Sequence, residues 1–293
     1  MDTLLLKLVL TPALIGAASL AGRRFGPVVS GWLVGFPFTS APITFFLALS
    51  HGTAFAAGAA TGTMAGAVSQ AAFSVAYGWA APRHGWPVTL AVSCLAFGAS
   101  TAVLSSLALL PLPLFAIVVA VLVLAIYAMP ACTRDPLEPD AVPGAQRARS
   151  RAARGVRGAA GATPCANTPP PWDLPLRMAV ATAFVILLTG IAPALGARLT
   201  GLLAPFPLYA AVLAVFAHHQ SGPVPAVAVL RGLLVGLFAF AGFFLVLALL
   251  LERGGVAPAF AVAIALALAV QGAALWALQR TRTQQIDAAG GSD

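Results

Sequence analysis

Nine long apolar runs, divided by short turns and one basic loop, constrain this chain more than any other feature. They cover about 4–22, 27–50, 52–80, 86–110, 112–130, 174–195, 199–219, 223–251 and 256–279. Each is close to the ~20 residues that cross ~30 Å of hydrocarbon as an α-helix, with tilt taking up the surplus. The third and eighth runs are long, so part of each is expected to lie in the interface or in a neighbouring loop. The runs are continuous rather than alternating, which excludes a membrane β-barrel. Charged residues make up 8% of the 293 and hydrophobic ones 60%, whereas a soluble domain carries roughly 25% charged residues. A surface facing water could not be built from so few charges. Soluble enzymes, nucleic-acid binders and disordered chains are excluded with it.

The net charge of +8 reports topology rather than nucleic acid. Residues 131–173 hold Arg147, Arg149, Arg151, Arg154 and Arg157 among seven prolines, with almost no large apolar side chain between Val142 and Trp172. Such a stretch cannot bury enough surface to offset its ordering entropy and reads as a disordered linker. Its first reading is a plain cytoplasmic loop; its alternative is a contact for anionic lipid headgroups. If the N-terminus is outside, Arg23, Arg24, Arg83, His84, the linker, Arg177, Arg280 and Arg282 all fall inside. Only Arg198, Arg253 and Lys7 fall outside or near it. The expectation is a multi-pass protein of a bacterial inner membrane, N-terminus out and C-terminus in. The start, Met1-Asp2-Thr3, lacks the basic region of a signal peptide, so the first run reads as a retained helix. Cys94, Cys132 and Cys165 form no CxxC pair and suggest neither a disulfide framework nor a zinc site.

The chain repeats itself at an offset of 170 residues. Gly26, Gly31, Phe36, Pro37, Phe46 and Gly52 match Gly196, Gly201, Phe206, Pro207, Phe216 and Gly222. Gly62, Gly66, Phe73, Arg83 and Gly85 match Gly232, Gly236, Phe243, Arg253 and Gly255, and Lys7 matches Arg177. Chance similarity between apolar helices would mostly align Ala and Leu, not Pro and Phe. Segments one to four pair with six to nine and the fifth has no partner, so the second copy enters the membrane from the opposite side. The expected fold is an all-α polytopic membrane protein of about nine transmembrane helices in a 4+1+4 inverted-topology repeat. Its parts would be a first four-helix unit at 1–111, a connecting helix at 112–130, the linker at 131–173, a second unit at 174–280 and a cytoplasmic tail at 281–293. Secondary transporters share this architecture, with substrate sites near the midplane between the repeats.

The first copy reads Lys7, Ala21-Gly22-Arg23-Arg24, Gly31-Trp32-Leu33, Phe36-Pro37 and Gly52. It resembles the small four-helix bacterial inner-membrane proteins called GlpM. The resemblance covers the first four helices and, through the repeat, the last four. It implies a fused, inverted pair of such units and a link to exopolysaccharide production. Pro42 and the pair Thr39-Ser40 depart from that pattern, and the resemblance transfers no residue roles.

None of the eight acids lies inside an apolar run; Glu252 stands at the end of one. Proton- or sodium-coupled carriers and intramembrane aspartyl proteases use buried carboxylates, so both readings weaken. No G-x-S-x-G, H-E-x-x-H or P-loop is present, and no enzyme or cofactor is expected. Polar chemistry concentrates instead at two proline clusters, Gly35-Phe36-Pro37-Phe38-Thr39-Ser40-Ala41-Pro42 in segment two and Ala204-Pro205-Phe206-Pro207-Leu208-Tyr209 in segment seven. Each should kink or break its helix, and freed backbone groups in a bilayer need partners or a polar cavity. One reading is a substrate site from Pro37, Thr39, Ser40, Pro207 and Tyr209; the other is a pair of kinks that shape packing.

Arg231 is the one basic residue well inside a run, roughly 13 Å deep at 1.5 Å per residue. It has three readings: snorkelling to the inner surface, binding an anionic substrate, or pairing with carbonyls freed by the broken helices. Gly58, Gly62 and Gly66, with Gly232 and Gly236, suit close helix packing. His218 and His219 read as an interfacial pair, His51 and His84 as loop residues, and Gln70 and Gln271 as hydrogen-bonding between helices. The expected function is a transporter or exporter of a small polar or anionic solute. The alternative is a non-transporting membrane factor that assists assembly or envelope polymer production.

Overall fold

The computed structural model describes residues 37–107, 109–130 and 173–290, together with Val9, Pro12, Ala13 and Gly16. Every regular element among them is an α-helix. In chain order these are α1 (Ser40–His51), α2 (Thr53–Ala80), α3 (Trp86–Ser106), α4 (Pro111–Ala128), α5 (Asp173–Leu203), α6 (Leu208–Ser221), α7 (Pro223–Gly254) and α8 (Val256–Gly290). The basic linker from 131 to 172, most of segment one and the first part of segment two lie outside the described residues, and so do their expected contacts with lipid headgroups.

Glycine and proline set the boundaries. Gly52 (φ 87°) and Gly222 (φ 83°) are single-residue joints between α1 and α2 and between α6 and α7. An L side chain would be strained there, which is why glycine stands at both. Pro87, Pro111 and Pro223 lie in the first turns of α3, α4 and α7, where a missing N–H leaves no helix bond unmade. Gly196 (φ 76°, ψ 165°) interrupts α5, so that its last seven residues, 197–203, form a separate short helix.

Two expectations change in detail, and the proline cluster of segment seven interrupts its helix. Segments three and eight lose no part to loops: α2 is one helix of 28 residues and α7 one of 32. The last helix continues to Gly290, so most of the expected tail is helical backbone. Segment seven is a short helix at 197–203, a break, and then α6.

Among the described residues, five helical stretches are long and apolar enough to cross a membrane: Trp86–Ser106, Pro111–Ala128, Met178–Leu203, Pro223–Gly254 and Val256–Ala273. The chain is therefore a membrane-embedded helical protein. Large apolar side chains such as Leu95, Leu110, Leu124 and Leu187 are exposed on α3, α4 and α5 and the turn between the first two, a liability in water and a suitable surface toward lipid. α2 is absent from that set for a physical reason. It is sheathed by other helices instead of lipid, so it can carry Thr63, Ser69, Gln70 and Ser74 buried among alanine and glycine.

α2 and α7 pack along each other at the centre. α1, α3 and α5 lie on α2, α6 and α8 lie on α7, and α4 touches both central helices to a similar extent. Aromatic edges join the two halves of the chain: Phe45 of α1 meets Phe260 of α8 at 5.6 Å between ring centroids, and Phe260 meets Phe243 of α7 at 6.1 Å.

Candidate functional site at the broken helix

The site is built on a stripe of small residues. Gly58, Gly62 and Gly66 recur every four residues on one face of α2, and the short helix 197–203 is seated on them. A Cβ at Gly58 would stand 3.2 Å from that of Ala197, and one at Gly62 would stand 2.5 Å from the Arg198 carbonyl oxygen. A Cβ at Gly66 would overlap the Pro205 ring, and one at Gly201 would overlap the Ala59 carbonyl. Backbones this close need glycine on both sides.

These contacts set a register. Gly58 faces Ala197, Gly62 faces Gly201 and Gly66 faces Pro205, 139 residues apart each time. Further along, the Tyr77 hydroxyl meets His218 Nδ1 at 3.2 Å across 141 residues. Both numbers rise together, so α2 and the broken helix run parallel. α1 reverses into α2 through Gly52 and is antiparallel to it.

Pro205 and Pro207 lack the N–H groups that the carbonyls of Gly201 and Leu203 would receive in an unbroken helix. The chain supplies others: Ala204 N–H donates to Gly201 at 3.1 Å, and Phe206 N–H to Leu203 at 3.0 Å. Leu208 N–H turns to Phe206 O at 2.7 Å and abandons Ala204. The orphaned Ala204 carbonyl is taken by the Ser40 hydroxyl, 3.0 Å away and buried. Thus the start of α1 and the break before α6 meet. Among the candidate residues, Pro37, Ser40 and Pro207 are buried and Thr39 is half-buried. Tyr209 lies in the first turn of α6, and its side chain is outside the described residues. The two proline carbonyls act alike: Pro37 O accepts from Ala41 N–H at 2.8 Å, and Pro207 O from Ala211 N–H at 2.7 Å.

Arg231 does not join this group. Its Nη2 donates to Met129 O at 3.1 Å and to Pro130 O at 2.8 Å, the end of α4. Of its three readings, the geometry is that of pairing with carbonyls, but those of a helix terminus and not of a break. The C-terminal ends of helices carry partial negative charge, which suits a guanidinium. Two more arginines do the same. Arg198 donates to Leu104 O of α3 at 2.9 Å, and Arg83 to Trp79 O of α2 at 2.8 Å. Trp79 Nε1 donates in turn to Ala128 O at 2.9 Å, so α2 and α7 hold the end of α4 between them.

One pairing escaped the sequence reading. Tyr77 is fully buried and pairs with His218, tying α2 to α6. Gln70 is 7% exposed, yet its Oε1 has no hydrogen-bond partner, so it does not make the expected bond through that oxygen; neither does Gln271, whose two amide atoms are both buried without one. The signal for Gln70 was available: it continues the four-residue spacing of Gly58, Gly62 and Gly66 by one more turn. Comparison of the chain with protein-family models, curated proteins and solved structures finds no match.

Proposed function

We propose that this chain is an inner-membrane transporter or exporter of a small polar or anionic solute, built as two four-helix units of opposite topology around one connecting helix. The observation that carries the reading is the direction of two matched elements. α1 and α6 correspond at the offset of 170, yet α1 is antiparallel to α2 and α6 is parallel to it. Equivalent backbone bonds recur at the same offset and support duplication. Gly52 N–H to Ala48 O matches Gly222 N–H to His218 O, and Thr89 N–H to Gly85 O matches Ala259 N–H to Gly255 O. α4, against both central helices, suits the connecting helix. In this reading the N-terminus is outside, the C-terminus inside, and the two proline-marked turns meet between the units where a solute would bind.

A second reading has its own support. The Gly62, Gly66 and Gly201 contacts close the seam beside the break with no room for a side chain. That tightness favours a non-transporting membrane factor, as the resemblance to GlpM suggests. Uptake and efflux screening in sealed vesicles from an overproducing strain separates the two. Protein-dependent flux of a small polar or anionic solute supports the transporter; vesicles indistinguishable from those without the protein favour the assembly factor.

A further inference from the structure

We infer that the end of α4, where α2 and α7 hold it, is a binding site for the headgroup of an anionic phospholipid. The site stands under either reading of the function. It starts from Gly78 on α2. A Cβ there would lie 2.8 Å from Met129 Sδ and 3.1 Å from the Pro130 ring, so glycine lets the end of α4 come down onto α2. Trp79, the next residue, donates its indole N–H to Ala128 O, and the Arg83 guanidinium lies over the Trp79 ring, 5.9 Å from its centroid. From α7, Arg231 holds Met129 O and Pro130 O. Two arginines are thereby fixed to the same three residues, Arg231 directly and Arg83 through Trp79.

Neither arginine has a counter-charge: among the described residues no carboxylate pairs with Arg83 or Arg231, and their bonds go to carbonyl groups. The C-terminal ends of α2 and α4 offset roughly half an elementary charge each, against two full positive charges. Residues 131–172, which follow Pro130, do not supply the balance, since they hold six arginines and three acids. Arg83 is exposed and Arg231 partly so, which leaves an anion room to approach. The surroundings suit the rest of a lipid. Trp79 is 51% exposed, and Leu124 and Tyr127, in the turn of α4 that leads to Ala128, are 67% and 83% exposed. Exposed Trp and Tyr sit at headgroup level in a bilayer, with apolar side chains facing the acyl chains below them. Basic pockets between membrane helices take phosphate headgroups for the same electrostatic reason. A free phosphate would use the arginines and leave the apolar surface idle; a phosphodiester that carries acyl chains uses both.

The test uses the full chain in phosphatidylcholine vesicles that carry, as a minor lipid, either brominated phosphatidylglycerol or brominated phosphatidylcholine with the same acyl chains. Bromine quenches indole fluorescence on contact, and the difference between wild type and Trp79→Phe isolates the signal of Trp79. Phosphatidylglycerol should quench Trp79 at least about fivefold more effectively than phosphatidylcholine. Arg83→Gln removes one cation from the surface and should lower that preference about fivefold; Arg83→Lys keeps the charge and should retain most of it. Equal quenching by the two lipids in wild type would overturn the inference. So would a preference unchanged in Arg83→Gln, which would place the lipid on the basic linker. If Arg83→Lys loses as much as Arg83→Gln, charge is not what holds the lipid and the inference falls. Inorganic phosphate that abolishes the preference, where chloride at equal ionic strength does not, would make the occupant a free anion. A preference that rises in the triple variant Asp135→Asn, Glu138→Gln, Asp140→Asn would make it a linker carboxylate. Either result overturns the lipid site.

Discussion

The Ser40 hydroxyl donates to the Ala204 carbonyl at 3.0 Å, across 164 residues of chain. It replaces the amide that Leu208 would have supplied had Pro205 and Pro207 let the helix continue. One side chain at the head of α1 thereby completes the backbone of the broken helix. Ser40→Ala leaves that carbonyl buried and unpaired, and should cost about 1–3 kcal/mol of stability. Ser40→Thr keeps the hydroxyl and should recover part of it. Denaturant unfolding in detergent micelles measures both; an Ala variant as stable as wild type would remove the bond from the account of the break.

The glycine stripe makes a graded prediction. Gly62→Ala puts a methyl group 2.5 Å from the Arg198 carbonyl, which is backbone and cannot rotate away. The short helix must then lift off α2, and a loss of about 1–3 kcal/mol is expected for such overpacking. Gly98→Ala on α3 meets nothing within 4 Å and should be neutral or stabilising by up to about 1 kcal/mol, because alanine favours helix. Melting curves of the two variants side by side check the contrast, and similar values for both would contradict the close seating.

Arg231 closes the end of α4, so its loss should appear as instability before it appears as altered solute preference. Arg231→Ala removes two charge-assisted bonds, to Met129 and Pro130, worth about 1.5–3 kcal/mol each before relaxation. Arg231→Lys retains a cation at a helix C-terminus but not the planar guanidinium, and should fall between. Folded yield and melting temperature are the readouts. A stable Ala variant with changed anion flux would return Arg231 to the substrate site.

Opposite topology of the units can be tested without a substrate. A compartment reporter fused at Gly161, in the basic linker, should report cytoplasm, and one fused near Pro111 should report the opposite side. Both on one side would break the nine-crossing count and the inversion with it. Paired cysteines at Gly58 and Ala197, in a chain freed of Cys94, Cys132 and Cys165, should crosslink readily, since Cβ positions there are 3.2 Å apart. No crosslink would unseat the parallel register.

Much of this protein was readable one segment at a time. Length and apolarity alone make a segment such as 112–130 a spanning helix, seen as α4 at Pro111–Ala128. A proline removes its own N–H wherever it stands, so Pro205 and Pro207 announced the break before α6. These are local properties, and sequence determines them. Which group rescues the Ala204 carbonyl, whether Arg231 looks into a cavity or onto the end of α4, and whether Gln70 finds a partner are decided elsewhere. Each depends on a residue brought near by helix packing, 164 positions away for Ser40 and about 100 for Arg231. A charge or an amide carries no mark of its partner; only the seating of the short helix on the α2 glycines, through backbone contact, brings the break level with Ser40.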